Sequence, residues 1–263
     1  MKRLLFLVKV ILTDMKFELE VIAFDVISCQ LAAENGADRI ELCANPHEGG
    51  TTPSHGMMKA ARKSTHIQVF PIIRPRGGDF LYTQEEFETM KEDIKCAQDN
   101  GCEGVVIGIL KNDGTVDLEK CQELVALAGK MEVTFHRAFD RVKEPLISLE
   151  QIIAIGCKRI LSSGLKPTAI EGIALLKTLV SQANGRIKIM PGSGVRAENI
   201  IRLAKDTGAT CFHSSARKTM PSLMTYNCYD IISRGIYDTS GLLNLALSGL
   251  VVSAIFMNLS QGE

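Results

Sequence analysis

The chain has 263 residues, and its 30 Lys and Arg residues balance 30 Asp and Glu residues, so the formal net charge is zero. Hydrophobic residues make up 46% and charged residues 23%, which is typical of a globular protein and excludes disorder of the whole chain. Without a basic excess, non-specific binding to nucleic acid is not expected. Aromatic residues at 5%, with no Trp, also argue against a surface on which bases stack.

The two ends of the chain differ from the rest. Lys2 and Arg3 precede an apolar run, as in a secretory signal, but Lys9 interrupts the run and no small-residue cleavage site follows. We interpret residues 1–16 as an extra leader. Residues 239–263 form an apolar tail whose length fits either a transmembrane helix or a buried final helix. We expect no membrane partner, although the tail keeps that alternative open.

Eight cysteines are scattered singly along the chain, and no Cys-x-x-Cys pair occurs. Zinc ribbons and thioredoxin-like redox sites therefore have no support. Most of the cysteines lie in apolar segments, where a free thiol behaves as a small hydrophobic group. We expect reduced thiols in a cytosolic protein.

Strand and helix signals alternate along the chain. Apolar, β-branched runs predict eight strands, at 18–25, 38–44, 68–75, 104–110, 132–139, 158–164, 186–192 and 209–216. Segments of helix length separate them, and the even-numbered strands are each preceded by Gly and a small residue, which suggests a repeat of two strand–helix units. Eight such units predict a single-domain α/β protein of the (β/α)8 TIM-barrel type over residues 17–238. An open doubly wound sheet is the alternative.

Two helix starts have a local signature. Thr52 followed by Pro53 predicts a capped helix that begins with proline. Thr83 with Glu86 predicts a capping box, on a helix that ends at Asn100 and Gly101. A third helix is expected to open at Arg196.

Side chains of a strand alternate between the barrel interior and the helices outside. Taking the apolar positions as the outer ones turns inward Glu20, Ile22, Glu41, Cys43, Thr134, His136, Cys211 and His213, and Arg74 lies at the end of strand three. The upper interior is therefore predicted to hold six residues: Glu20, Glu41, Cys43, Arg74, His136 and His213. One interpretation is a salt-bridge layer that plugs the barrel. The other is a polar pocket for an anionic small molecule, in which the carboxylates Glu20 and Glu41 and the imidazoles His136 and His213 are candidate acids and bases.

The loops after the last strands suggest an anion site. Backbone N–H groups after strands seven and eight commonly hold phosphate in barrels. The candidate anion-binding residues are Arg74, Arg76, Gly192, Ser193, Gly194, Ser214 and Ser215. A plain glycine turn explains the same loop, and its match to a dinucleotide fingerprint is weak because it lies in the seventh unit.

Several segments carry a resemblance to a known family. They include Asn35-Gly-Ala-Asp-Arg-Ile-Glu-Leu-Cys43, Val133-Thr-Phe-His-Arg-Ala-Phe-Asp140 and Pro191-Gly-Ser-Gly-Val-Arg-Ala-Glu-Asn199. Over about residues 17–227 the chain resembles the CutC copper homeostasis proteins. The resemblance implies a TIM-barrel-like fold, a cytoplasmic location (the nucleus being an additional compartment), assembly into homo-oligomers and a role in handling Cu(I). It implies no agreed reaction or substrate.

The resemblance also implies a copper ligand, Cys43. Family members often carry a second Cys where this chain has Ile22. Cu(I) prefers soft sulfur ligands, and one thiolate is rarely enough for tight binding. Cys211 lies nearer the start of its strand, and Met57 and Met58 are more readily explained by packing.

Three functions follow from these patterns. The first is a copper homeostasis protein that binds Cu(I) through Cys43. The second is an enzyme that acts on a small phosphorylated or carboxylated compound by acid–base chemistry. The third is a scaffold whose barrel supports contacts between subunits.

Overall fold

A computed structural model describes residues 17–221 and 243–247. Eight parallel strands lie inside the eight predicted ranges. They are β1 Glu18–Ala23, β2 Arg39–Leu42, β3 Gln68–Pro71, β4 Gly104–Ile107, β5 Glu132–Phe135, β6 Arg159–Ser162, β7 Lys188–Pro191 and β8 Cys211–Ser214. Their β-branched and apolar residues favour extended backbone that is buried on both sides, as parallel strands require.

Helices follow the first seven strands. They are α1 Val26–Glu34, α2 His55–Ser64, α3 Gln84–Asp99, α4 Leu118–Ala128, α5 Pro145–Ala154, α6 Ile173–Ala183 and α7 Ile200–Thr207. The capping box that opens α3 is confirmed. The glycines before β2, β4, β6 and β8 all have positive φ, which explains why glycine recurs there: it reverses the chain without steric cost.

Two predicted helix starts are wrong. Helix α2 begins after Ser54, whose hydroxyl accepts a hydrogen bond from Met57 N–H, and not after Thr52. Thr52 instead bonds Arg74 through both its backbone and its hydroxyl, so a long-range contact outweighs its local capping tendency. Helix α7 begins at Ile200, four residues beyond the predicted Arg196, because Asn199 folds back to bond the N–H of Arg196 in a turn.

The strands close into a barrel. One parallel sheet has the order β3-β2-β1-β8 and the other β4-β5-β6-β7. Ile73 N–H donates to the carbonyl of Val106 at 2.8 Å, which joins β3 to β4, and β7 lies beside β8. The (β/α)8 prediction is confirmed, and the open sheet is excluded.

The core lies between the barrel and its helices. The outward positions predicted from alternation, such as Ile40, Leu42 and Phe212, are fully buried in one apolar cluster with helix residues such as Leu124 and Leu203. Burying each such side chain contributes about 1.5–3 kcal/mol. The same alternation leaves the barrel interior to the polar residues.

The chain departs from a regular barrel after β8. Strand β9, Arg217–Pro221, pairs antiparallel with β10, Leu243–Leu247. The part of the apolar tail at 243–247 is therefore a strand, and both helical interpretations are wrong there. The rest of the tail and the leader 1–16 lie outside the described residues. In the described ranges, no helix combines the length and the hydrophobicity needed to cross a bilayer.

Candidate functional site

The lower barrel interior is filled by buried ion pairs. Arg39 Nε lies 2.5 Å from Glu20 Oε2, and Arg159 pairs with Glu132. Phe70 lies against both guanidinium groups, at 5.2 Å from Arg39 Cζ and 5.4 Å from Arg159 Cζ. This layer differs from the predicted one: of the six residues expected to form it only Glu20 takes part, and its position at the strand starts leaves the carboxyl ends open.

A cavity of about 430 Å³ occupies the carboxyl ends of the strands. The predicted site residues on its wall are Glu41, Arg74, His136, Ser193, Gly194, His213 and Ser215. The predicted residues that do not line it are Glu20, Cys43, Arg76, Gly192 and Ser214. The barrel thus collects residues from strands two, three, five, seven and eight at one place, as its topology requires.

Glu41 and His213 form a hydrogen-bonded pair on the cavity wall. His213 Nε2 lies 2.9 Å from Glu41 Oε2 and 4.0 Å from Glu20 Oε1. Burial disfavours the imidazolium, but the hydrogen bond and charge of Glu41, helped by Glu20, raise the pKa of His213 overall. The pair holds a proton close to the cavity, which is what an acid–base catalyst needs.

The oxygen and nitrogen atoms of Glu20, Glu41 and His213 lie within 4.8 Å of one another, close enough to share a cation. Two carboxylates with one imidazole are a hard donor set. Such a set suits Mn²⁺ or Zn²⁺ better than Cu(I).

Arg74 brings a buried positive charge to the cavity. Its side chain donates to the carbonyls of Glu48 and Gly50, both at 2.7 Å, and of Gly78 at 2.9 Å, and it stacks on Phe80 at 5.1 Å. No carboxylate within the described residues pairs with it, and its buried Nε has no hydrogen bond. Backbone carbonyls orient this charge without neutralising it, so an anion in the cavity would be attracted.

His136 is a neutral hydrogen-bond donor. Its Nδ1 accepts the N–H of Ala138 at 3.1 Å, which places the proton on Nε2, and that buried atom has no partner among the described residues. Burial and the neighbouring Arg74 lower the pKa of His136 to about 3. It is therefore suited to donating a neutral N–H to a ligand, and unsuited to acting as an imidazolium acid.

The loop after β7 supplies part of the predicted anion site. Ser193 and Gly194 have φ of 74° and 73°, and their N–H groups donate to no described residue. Ser214, by contrast, is occupied, since its hydroxyl donates to the carbonyl of Val195 at 2.8 Å. Gly192 N–H bonds the carbonyl of Ser162.

Arg76 is held away from the cavity. Its Nε lies 2.6 Å from Glu86, its Nη2 lies 3.0 Å from Asp79, and its guanidinium stacks on Tyr82. Two nearby acids therefore satisfy this arginine, although it follows the same strand as Arg74.

Cys43 is a poor fit for Cu(I). Its thiol is 1% exposed, packs among Phe70, Ile72 and Val106, and bonds no described residue. Burial, with the charge of Glu41, raises the pKa of this thiol well above its usual range. Since a metal takes the thiolate, and no second sulfur of the described residues joins Cys43, the site lacks the soft ligand set that Cu(I) prefers.

Five charged residues on the cavity wall were not predicted from the sequence: Glu48, Arg137, Asp140, Arg141 and Arg217. Arg137 Nε pairs with Asp140 at 2.8 Å in the short helix after β5, and Arg217 begins β9. Arg137 directly follows His136, a predicted inward residue at a strand end, and Asp140 is its ion-pair partner three residues later, so the position of Arg137 would have pointed to both. Arg217 required knowing that the chain continues as a strand.

Comparison of the sequence with known proteins identifies a family. The sequence model described as the CutC family matches residues 17–218. A CutC family protein of Chromobacterium violaceum is 51% identical over 208 residues, covering 79% of this chain and 84% of that protein. The human copper homeostasis protein cutC homolog is 48% identical over 210 residues, covering 80% and 77%.

A solved structure agrees with the sequence comparisons. The crystal structure of CutC from Streptococcus agalactiae superposes with a TM-score of 0.72 at 36% identity, covering 75% of this chain and 97% of that one. The segments that carry the resemblance in the sequence lie at the strand ends that form the cavity. This chain belongs to the CutC family.

Proposed function

We propose that the chain acts in copper homeostasis, the process that names its human and mouse relatives, and that its cavity binds a small phosphorylated or carboxylated compound. The observation that carries the second part is the buried guanidinium of Arg74, which faces a cavity without a carboxylate partner among the described residues. The neutral N–H of His136 and the N–H groups of Ser193 and Gly194, which donate to no described residue, support it because all of these groups are donors.

We propose acid–base chemistry by Glu41 and His213 as the reaction type. The pair lies 2.9 Å apart on the wall of the cavity, and it shares one proton between a carboxylate and an imidazole. A compound held by Arg74 would present its neutral part to this pair. The pair would then take or give a proton at a carbon or oxygen of the bound compound.

The geometry does not support binding of Cu(I) at Cys43, because the thiol is buried and no second sulfur of the described residues joins it. The role in copper homeostasis then rests on the family relationship. An enzyme or binding protein for a small anion serves such a process without holding the metal in its barrel.

Measurements of anion binding test whether the cavity holds a small phosphorylated or carboxylated compound. Inorganic phosphate and a panel of phosphorylated and carboxylated metabolites are added to the full chain, and ligand-dependent stabilisation is followed by thermal unfolding and calorimetry. We expect Arg74→Met to abolish the stabilisation and Arg76→Met, the matched control outside the cavity, to keep it. Equal ligand responses in the two variants would refute the proposed cavity function.

The copper tolerance of cells tests the proposed role in copper homeostasis. Cells that lack their own family member and grow poorly in copper are supplied with the parent chain or with Glu41→Gln. We expect the parent to restore growth and the variant to fail at equal protein levels. No rescue by the parent would contradict a role in copper homeostasis.

A homo-oligomer in the cytoplasm remains part of this proposal. Leu146 and Ile147 are adjacent on helix α5 and are 40% and 55% exposed, and we propose this apolar spot as a contact between subunits. Sedimentation of the full chain measures the state of assembly, and a monomer at micromolar concentration would contradict it.

A further inference from the structure

Three soft donor side chains meet on the outside of the barrel, between helices α2 and α3. Cys96, near the end of α3, places its Sγ 3.5 Å from His55 Nδ1 and 4.0 Å from Met58 Sδ. His55 and Met58 lie three residues apart on α2, so they share one face of that helix. The cluster takes no part in the cavity described above.

The spacing of these atoms fits a single metal ion. A closed-shell d10 ion binds sulfur at about 2.3 Å and imidazole nitrogen at about 2.0 Å. With ligands about 120° apart around the ion, those lengths separate sulfur from nitrogen by about 3.7 Å and two sulfurs by about 4.0 Å. The distances from Cys96 Sγ to His55 Nδ1 and to Met58 Sδ are 3.5 Å and 4.0 Å, so both of these pairs have nearly the spacing of ligands around one ion.

The imidazole presents its lone pair to the sulfurs. Asn100 Nδ2 lies 3.1 Å from His55 Nδ1 and 2.8 Å from the carbonyl of Cys96. A carbonyl only accepts, so this atom is the amide nitrogen, and His55 Nδ1 must accept as well. The proton of His55 therefore lies on Nε2. An ion would replace the Asn100 contact to the ring while the amide keeps its bond to the Cys96 carbonyl.

The surroundings favour a cation and allow it to reach the thiol. Burial and the carboxylates of Asp93 and Asp99 raise the pKa of the Cys96 thiol, but the same negative charges attract a positive ion, which displaces the thiol proton when it binds. Cys96 is the one free thiol of the described chain that is not buried, and His55 is exposed beside it. Met58 is 1% exposed and supplies the ligand from the core side.

The donor types select the metal. A thiolate, a thioether and an imidazole are soft or borderline ligands, and a thioether is characteristic of Cu(I) sites and not of zinc sites. No third His, Cys, Asp or Glu ligand joins His55 and Cys96 within the described residues, so a full zinc set is missing there. We propose that His55, Met58 and Cys96 form a surface Cu(I) site in which the Cys96 thiol gives its proton to water when the ion binds.

This proposal rests on the proposed copper function for its biological meaning, while the donor set itself comes from the contacts of the cluster. Cu(I) is titrated into the full reduced chain without oxygen, in competition with a coloured Cu(I) chelator. We expect Cys96→Ser to weaken binding by more than about tenfold, and Met58→Leu, which keeps the volume of a core side chain, to weaken it measurably. Cys43→Ala is the matched control and should bind as the parent does.

X-ray absorption of the loaded parent should show two sulfur neighbours and one nitrogen neighbour, with one sulfur lost in Met58→Leu. Three results would overturn the proposal. They are the absence of Cu(I) binding by the parent, an unchanged Cu(I) affinity in both Cys96→Ser and folded Met58→Leu, and a higher affinity of the parent for Zn²⁺ than for Cu(I). Failure of the copper tolerance test with intact Cu(I) binding would count against the proposed function alone. Tolerance that survives with no Cu(I) bound would count against this site alone.

Discussion

The neutral state of His136 makes stability depend on pH in a direction that can be calculated. The imidazole has a pKa near 6.5 in the unfolded chain and about 3 in the folded one. Between these values the unfolded state binds more protons, so the free energy of unfolding falls as the pH falls. From about pH 7.5 to about pH 4.5 a single group of this kind removes roughly 2.5 kcal/mol.

The matched variant is His136→Asn, whose side-chain oxygen can still accept the N–H of Ala138 and which does not titrate. His213 acts in the opposite direction: its raised pKa contributes stability that is present below the unfolded value and lost as the pH rises through the folded value. Since both proteins keep His213, the difference between their urea unfolding curves isolates His136. Equal pH dependence in parent and variant would show that His136 is not held neutral by burial and Arg74.

Two further substitutions test the packing below and beside the cavity. Arg39→Leu leaves the carboxylate of Glu20 buried without its partner, so the free energy of unfolding, measured in urea, should fall by about 3–5 kcal/mol. A loss below about 1 kcal/mol would contradict the importance of this buried ion pair at the strand starts. Gly50→Ala should lower the free energy of unfolding by about 1–3 kcal/mol more than Gly101→Ala does. Both glycines have positive φ, but only at Gly50 would the added Cβ lie 3.0 Å from Cys43 Sγ. Equal losses of stability in thermal unfolding would show that the thiol moves aside freely.

Most of the fold could be predicted because the signals that specify it are local. Every described barrel strand lies where an apolar run was bounded by turn residues, and the glycines before the even strands have the φ values that only glycine adopts easily. Where a distant contact competed, the local signal failed. Thr52 has the chemistry of a helix cap, but Arg74 uses it.

The tail shows a different limit. A long apolar run without a clear period fits a buried helix, a membrane helix or a strand equally well. Leu243–Leu247 is a strand because it pairs with Arg217–Pro221, and that partner is not visible in the tail itself.

Alternation along the strands predicted the cavity wall in large part. Alternation places Glu41, His136 and His213 inward, the position of Arg74 at the end of strand three adds that residue, and all four line one cavity. Alternation does not show, however, how far along the barrel axis a side chain lies. Glu20 also points inward, but its register with Arg39 on the neighbouring strand draws it into the ion pair below the cavity.

The cluster on the helices could not be found from strand parity at all. Helical spacing puts His55 and Met58 on one face of α2, but only the barrel order makes α3, with Cys96, its neighbour. Met58 reaches this thiol on the outside of the barrel and not Cys43 inside it. A thiol that takes a metal ion from solution must be accessible to solvent and must have a second soft donor beside it. In the described chain Cys96 meets both conditions, and it lies between two helices and not at a strand end.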